Sequence, residues 1–271
     1  MDADVAVLDS GIAAHRDLQV AGHHDCTGSG TTDDRYGHGT HVAGTIGARD
    51  DGTGVVGVAP GVRLWSVKVL DDEGRGTLES LTCGAQWVAD HADVIEVANI
   101  SVTGAGRATC ADGALGEALC RALDAGVAVV AAAGNDSLDV RGFQPASLER
   151  ALTVSGLHDT DGVPGGPGDP SCSDGTPEDT FLPLSNHGRG VDLMAPGACV
   201  LSTVPGGYGL SGGTSSAAAH ASGAVALARA GGWVDDPDAL GALLRGRGTA
   251  DWDTATDPDP WHERVVSVRG L

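Results

Sequence analysis

The chain has 271 residues, of which 37 are acidic and 16 basic, so its formal net charge is −21. This acidity argues against a nucleic-acid partner, because phosphate contacts need lysine and arginine and Lys68 is the only lysine. No apolar run approaches the roughly 20 residues of a membrane span, so we expect no membrane partner. No linker divides the chain, and we therefore expect one domain over residues 1–271.

Short apolar runs typical of buried β-strands alternate with helical segments along the chain. The runs lie at residues 5–10, 63–70, 94–102, 127–134, 151–156 and 191–197. The helical segments lie at residues 77–91, 111–125 and 214–231. This alternation predicts an α/β protein with a single doubly wound, mostly parallel sheet and helices on both faces. Gly, Pro and Asp dominate residues 159–180, which predicts a long surface loop that Cys172 pins.

Three polar residues stand where apolar strands end or where glycines leave room around a side chain. Asp9 ends "VAVLD", Asn135 ends "VAVVAAAGN", and His38 lies between two glycines in "GHGTH". Ligands and reactive groups collect outside the carboxyl ends of parallel strands, so these residues are candidates for one site. Each also has an ordinary interpretation as a turn residue or a buried histidine. We interpret His41, one helical turn after His38, as a structural histidine.

Two serines compete as nucleophile in "GYGLSGGTSSAAAHASG". Ser211 matches the G-x-S-x-G nucleophile elbow, which requires an acid and then a base later in the chain. Only two histidines, and no strand-end aspartate, follow it. Ser215 has Asp9 and His38 upstream and begins a small-residue helix, whose N-terminus stabilises negative charge. We therefore predict that Ser215 is the nucleophile.

The motifs "VLDSGI", "HGTHVAG", "AAAGN" and "GTSSAAAH" together resemble the subtilisin-like serine proteases. The segments "VVGVAPGVRLWSVKVL", "ANISVTG" and "LMAPG" extend the resemblance over nearly the whole chain. It implies peptide-bond hydrolysis through an acyl-enzyme: His38 takes the Ser215 proton, Asp9 orients the imidazole, and Asn135 with the Ser215 N–H holds the oxyanion. The alternatives are an inactive subtilisin-like binding scaffold and an esterase that uses Ser211.

The same resemblance implies how a substrate binds. An extended peptide would pair with two chain segments, one on each side, as an added β-strand. Thr103 stands where the family usually has glycine, so the specificity pocket is expected to be narrower, within a broad specificity that includes apolar subsites. The residues assigned to substrate binding are Gly74, Arg75, Gly76, Leu78, Ser101, Val102, Thr103, Ala132 and Gly134.

The segment "GTGVVG" at residues 52–57 matches G-x-G-x-x-G, but it lacks the preceding strand and following helix of a nucleotide site. The resemblance implies a structural calcium ion in this loop instead, and catalysis is expected to need no cofactor. The calcium ligands it assigns are Asp17, Asp51 and the carbonyls of Arg49, Thr53 and Val55. A solvated acidic turn is the alternative. We interpret "HHDC" at residues 23–26 as a plain surface loop.

Six cysteines are dispersed without C-x-x-C pairs, which indicates disulfides and an oxidising compartment. Six buried thiols of a cytosolic protein are the alternative. Sequence alone leaves many pairings open, among which we predict Cys26–Cys83, Cys110–Cys120 and Cys172–Cys199. The cysteines lead us to expect a secreted protein. Because the N-terminus runs into an apolar strand without the pattern of a signal peptide, we expect this chain to be the mature form. We expect a monomer that acts on proteins or peptides.

Overall fold

The computed structural model describes residues 3–172 and 175–271. Its helices are α1 (His38–Gly47), α2 (Leu78–Asp90), α3 (Ala114–Asp124), α4 (Thr214–Ala230) and α5 (Pro237–Arg247). Its strands are β1 (Asp4–Asp9), β2 (Gln19–Asp25), β3 (Arg63–Lys68), β4 (Val97–Ile100), β5 (Gly104–Ala105), β6 (Ala128–Ala132), β7 (Phe143–Gln144), β8 (Leu152–His158), β9 (Thr180–Phe181), β10 (Leu193–Pro196), β11 (Val200–Val204), β12 (Gly207–Ser211) and β13 (Arg264–Val265). None of the helices in these two ranges is long and apolar enough to cross a membrane.

A nine-stranded sheet in the order β13-β10-β8-β6-β4-β1-β3-β2, with β9 paired to β8, forms the centre of the molecule. All of its strand pairs are parallel except β8 with β9. From β1 the chain passes to the edge strand β2 and returns to β3 beside β1. It then adds β4, β6, β8, β10 and β13 outwards on the other side of β1, so the direction of strand addition reverses at β1. The predicted fold class is confirmed, and the reversal opens a crevice at the carboxyl ends of β1 and β4.

Two apolar cores cover the two faces of the sheet, because successive residues of a strand point to opposite sides. In β1, Val5 and Val7 pack with residues of α1 and α4. Ala6 and Leu8 of the same strand pack with residues of α2 and α3 on the other face. Burial on both faces explains why these strands read as continuous apolar runs.

Helix α4 is buried around almost its whole circumference, which its run of alanine, serine and glycine permits. At Gly223 an added Cβ would lie 2.5 Å from the Cβ of Val58, so no larger residue fits there without movement. The Ser222 hydroxyl donates to Asn99 Oδ1 of β4 at 2.8 Å. These contacts fix the middle of α4 against β4 and against the loop before β3.

The interpretation of residues 23–26 as a surface loop is wrong. His23 and His24 lie in β2, an edge strand that pairs in parallel with β3. Cys26 follows the strand and is bonded to Cys83. Although His24 lies near both cysteines, sulfurs in a disulfide are not thiolate ligands for a metal.

The structure contains the three predicted disulfides. Cys26–Cys83, Cys110–Cys120 and Cys172–Cys199 have Cα–Cα distances of 5.7, 5.5 and 5.9 Å, within the usual range. The third links the Gly-, Pro- and Asp-rich segment to the residue before β11, as the sequence predicted. Two residues of that segment, 173 and 174, lie outside the described ranges.

Candidate active site

Asp9 and His38 form a hydrogen-bonded pair at the carboxyl end of β1. Asp9 ends the strand, is fully buried, and its Oδ1 lies 2.7 Å from His38 Nδ1. His38 is the first residue of α1. A Cβ at Gly39 would collide with the carbonyl oxygen of Gly11 and lie 3.0 Å from Asp9 Cβ. The glycine after His38 therefore lets the helix start approach the strand end.

A second buried carboxylate, Asp34, holds the start of α1. It accepts hydrogen bonds from the Gly37 N–H at 2.7 Å, the Thr40 N–H at 2.9 Å and the Thr40 hydroxyl at 2.5 Å. It also accepts from the Ser10 hydroxyl at 2.9 Å. A carboxylate at this position stabilises the helix N-terminus and joins it to the residue after Asp9.

Lys68, at the end of β3, also supports this corner and is fully buried. Its Nζ donates to the Ser10 carbonyl oxygen at 2.6 Å and lies 3.2 Å from Asp72 Oδ1. The only lysine of the chain is therefore committed to the turn that follows Asp9.

The surroundings of His38 favour a charged imidazole. Burial alone lowers the pKa of His38, but the charge of Asp9, its hydrogen bond and the charge of Asp34 raise it above its ordinary value. Because Nδ1 donates to Asp9, Nε2 is the nitrogen that accepts a proton. For His41, by contrast, burial lowers the pKa, and its Nε2 bonds the Val200 carbonyl oxygen at 2.8 Å, so its position fits the predicted structural role.

Ser215 is the second residue of α4 and is buried. Its hydroxyl donates to the Ser101 carbonyl oxygen at 3.1 Å. The neighbouring Thr214 and Ser216 N–H groups bond Asn135 Oδ1 and the Gly213 carbonyl. The Ser215 N–H has no protein acceptor within the described ranges, which leaves a backbone donor free at a helix N-terminus.

Asn135 follows β6 and is held in a fixed orientation by the start of α4. Its Oδ1 accepts from the Thr214 N–H at 2.9 Å and from the Thr214 hydroxyl at 3.0 Å. Because these two bonds identify the oxygen of the Asn135 amide, the remaining amide group is Nδ2, which is a hydrogen-bond donor. Asn135 lines the same cleft as His38 and Ser215.

That cleft has a volume of about 500 Å³. It brings together most of the residues predicted for the site: His38, Gly74, Gly76, Leu78, Ser101, Val102, Thr103, Asn135 and Ser215. Sequence reasoning missed its other wall residues: Tyr36, Val69, Leu70, Thr77, Leu81, Gly104, Ala105 and Gln144. Tyr36 could have been found from the sequence, because it lies two residues before His38. Gln144 could not, because only the pairing of β5 with β7 brings it to the cleft.

Three residues predicted to bind substrate do not line the cleft. The Arg75 guanidinium pairs with Asp71 at 3.2 Å and Glu73 at 2.7 Å. Ala132 and Gly134 are buried beneath the surface of the cleft. A Cβ at Gly134 would lie 3.1 Å from Thr103 Oγ1. Thr103 thus covers Gly134. The roles of these three residues stay predictions.

Ser211 lies outside the cleft lining. It ends β12 and pairs with Val200 of β11 in a separate two-stranded sheet. Within the described residues it bonds no histidine side chain, so the structure gives it none of the partners that surround Ser215.

The loop predicted to bind calcium is held by protein donors. Asp17 Oδ1 accepts from Arg16 Nε at 3.1 Å, and Asp17 Oδ2 accepts from the Tyr208 hydroxyl at 2.6 Å. The Arg16 guanidinium also donates to Thr53 Oγ1. Asp51 Oδ1 accepts from the Thr53 N–H at 3.1 Å and hydroxyl at 2.6 Å. These side chains therefore do not fit a calcium ion in this arrangement, because protein donors engage both oxygens of Asp17 and Oδ1 of Asp51, and Arg16 supplies positive charge beside Asp17.

The proteins that resemble this chain include two curated relatives and two solved structures. Alkaline elastase YaB of Bacillus sp. (strain YaB) is 40% identical over 228 residues, which cover 83% of this chain and 53% of that protein. Subtilisin BL of Lederbergia lenta is 37% identical over 227 residues, covering 83% of this chain and 75% of that protein. The chain thus spans about half the length of the first relative and three quarters of the second.

The solved structures cover almost the whole chain. A cold-adapted subtilisin-like serine proteinase aligns with a TM-score of 0.78 and 30% identity over 97% of this chain and 87% of that one. A protease from Pseudoalteromonas arctica PAMC 21717 aligns with a TM-score of 0.80 and 26% identity over 98% and 88%. The profile of the subtilase family matches residues 2–243. With that match and the two relatives above 30% identity, this chain belongs to the subtilase family.

Proposed function

We propose that this protein is a serine endopeptidase that cleaves peptide bonds through an acyl-enzyme. The observation that carries the proposal is the hydrogen-bonded Asp9–His38 pair, whose histidine shares one cleft with Ser215 and Asn135. Family membership supports the same reaction. The chemistry needs no cofactor, since the acid, base, nucleophile and oxyanion donors all come from the chain.

The reaction begins when Ser215 loses its proton to His38. A turn about the Ser215 Cα–Cβ bond releases the hydroxyl from the Ser101 carbonyl and directs it to His38 Nε2. The oxygen then attacks the peptide carbonyl carbon while Nε2 takes the proton. Asp9 keeps the second imidazole proton on Nδ1, and its charge with that of Asp34 stabilises the imidazolium.

The tetrahedral intermediate places a negative charge on the former carbonyl oxygen. Asn135 Nδ2 and the free Ser215 N–H are the two donors for that charge. When the C–N bond breaks, His38 gives its proton to the leaving amine. Water then attacks the acyl-enzyme with His38 again as base, which releases the carboxylic acid and restores Ser215.

The walls of the cleft support binding of an extended peptide. Gly74 and Gly76 line it together with residues 101–103, and the backbone groups of these two segments can pair with a substrate strand. Leu81 and Val102 add apolar surface beside the exposed Leu78. Thr103 narrows the neighbouring pocket over Gly134, and we infer broad specificity with a restriction to smaller side chains at that position.

We further propose that the protein is secreted and monomeric and that its substrates are proteins or peptides. Three disulfides support an oxidising compartment.

The first prediction concerns the nucleophile. Ser215→Ala should abolish casein hydrolysis and labelling by a serine-directed fluorophosphonate, whereas Ser211→Ala should keep most of both. Peptide mapping of the wild-type adduct identifies the labelled serine. An adduct on Ser211 would indicate the esterase alternative, and no adduct with correctly folded protein would indicate an inactive binding scaffold.

The second prediction concerns the oxyanion donor. Asn135→Ala should lower kcat by roughly 10² to 10³ with little change in KM, because the amide acts mainly in the transition state. Asn135→Asp is the matched variant, since it keeps an acceptor for Thr214 but has no Nδ2 donor. Steady-state kinetics on a peptide anilide measure both. A change confined to KM in either variant would contradict this role.

The third prediction concerns pH. His38 must be neutral to accept the Ser215 proton, and its raised pKa keeps it charged to a higher pH than a free imidazole of about 6.5. We expect kcat/KM to fall as pH drops through that raised value. Asp9→Asn should move this acidic limb to lower pH and reduce kcat by roughly 10⁴. If the acidic limb of the pH profile does not move in Asp9→Asn, the limb does not report the titration of the His38–Asp9 pair.

The fourth prediction follows from a proposal that Arg16 holds the loop in place of calcium. In a Ser215→Ala background, which prevents self-cleavage, EDTA should leave the melting temperature unchanged. Arg16→Ala should lower it by a few degrees, because Asp17 loses its ion-pair partner and Asp51 loses a nearby positive charge, and added calcium should restore part of the loss. Arg35→Ala is the control, since it removes another exposed arginine that pairs with Asp33 and Asp72 instead. A large EDTA effect on the Ser215→Ala protein would contradict the proposal.

A further inference from the structure

A buried asparagine outside the cleft binds the segment that carries Asn135. Asn186 lies between β9 and β10 and is fully buried. Its Nδ2 donates to the Ala133 carbonyl oxygen at 2.9 Å. Its Oδ1 accepts from the Asp136 and Leu138 N–H groups, both at 3.0 Å. One side chain therefore bonds the backbone on both sides of Asn135.

The backbone of Asn186 adds a fourth bond to the same segment. Its N–H donates to the Gly134 carbonyl oxygen at 2.8 Å. Gly134 has a φ of +102°, and a Cβ there would collide with Asn186 Nδ2. The close approach of the amide therefore depends on glycine at this position.

Only an amide of this size satisfies all of these partners. An aspartate could accept from the Asp136 and Leu138 N–H groups but, when ionised, could not donate to the Ala133 carbonyl. An apolar side chain would leave three backbone groups without their present partner in a buried position, which is unfavourable. The bonds thus depend on the chemistry of Asn186 and not only on its volume.

We propose that Asn186 is a positioning residue for the oxyanion donor. Thr214 fixes the Asn135 side chain from α4, while Asn186 fixes the backbone of residues 133–138 from the opposite side. Asn186 does not line the cleft and so acts only through Asn135. A donor held in place before the reaction needs no reorganisation when the oxyanion forms, and small displacements of such a group lower the rate strongly.

The inference rests on the proposed oxyanion role of Asn135, and a double-mutant cycle tests the two separately. Asn186→Ala should lower kcat roughly tenfold or more, with KM changed by less than about twofold. In the Asn135→Ala background the same substitution should change kcat by less than about twofold, because the donor it positions is gone. Equal losses in both backgrounds, or no loss in either, would overturn the positioning role.

Two further variants keep the test decisive. Asn186→Asp preserves the volume and the acceptor for the Asp136 and Leu138 N–H groups, and it should show the same dependence on Asn135 if the alanine variant does not fold. Ser185→Ala is the matched control: it removes a neighbouring buried side chain that bonds the Gly156 N–H and the Asn186 carbonyl. We expect Ser185→Ala to leave kcat unchanged. If Asn135→Ala alone leaves kcat unchanged, the oxyanion assignment fails, which is a result distinct from an additive cycle.

Discussion

The contact between the end of β1 and the start of α1 is the constraint on which the rest of the site depends. It places a buried carboxylate 2.7 Å from an imidazole nitrogen, and an unpaired buried charge would be strongly unfavourable. The Ser10 N–H also donates to Asp9 Oδ1 at 2.7 Å, and the bonds that Asp34 accepts from the Gly37 and Thr40 N–H groups hold the helix start in place. Gly39 supplies the space. If this corner moved, His38, the proposed base, would lose its orientation and its raised pKa together.

The second half of the site depends on a different element, the buried helix α4. Its small residues let it pass close to the sheet, so that its first turn meets the ends of both β4 and β6. Thr214 bonds Asn135, while Ser215 bonds Ser101. The proposed nucleophile and oxyanion donor are thus positioned by one helix end, while the proposed acid and base are positioned by another, and the sheet fixes the distance between the two pairs.

The sequence predicted the parts of the fold that are buried on both sides. Residues 5–8 of β1 and the whole of β6 are apolar because helices cover both faces of the sheet, and this pattern can be recognised without knowing which strands pair. Strand β2 was missed because it lies at the sheet edge, where half of its side chains face solvent and its stability comes from backbone pairing with β3. Helix α1 carries three glycines, Gly39, Gly44 and Gly47, so its helical state comes from packing against neighbours and not from local preference.

The residues of the site were predictable to a similar extent. Asp9, His38, Asn135 and Ser215 stand out because strand ends and glycine patterns mark them locally. Arg16 and Asn186 do not, since their partners Thr53 and Asp136 lie 37 and 50 residues away. A hydrogen bond between such distant residues leaves no periodic trace in one sequence. The same holds for the cleft wall formed where β5 meets β7.

The burial of Lys68 has a practical consequence for handling the protein. Reagents that acylate primary amines need an accessible, uncharged nitrogen, and the only lysine of the chain lies beneath the turn after Asp9 with no exposed surface. Acylation of a lysine side chain is therefore blocked in the native fold. Modification of Lys68 can occur only when β1 and β3 separate from that turn, so the rate of its acylation reports how often this corner of the molecule opens.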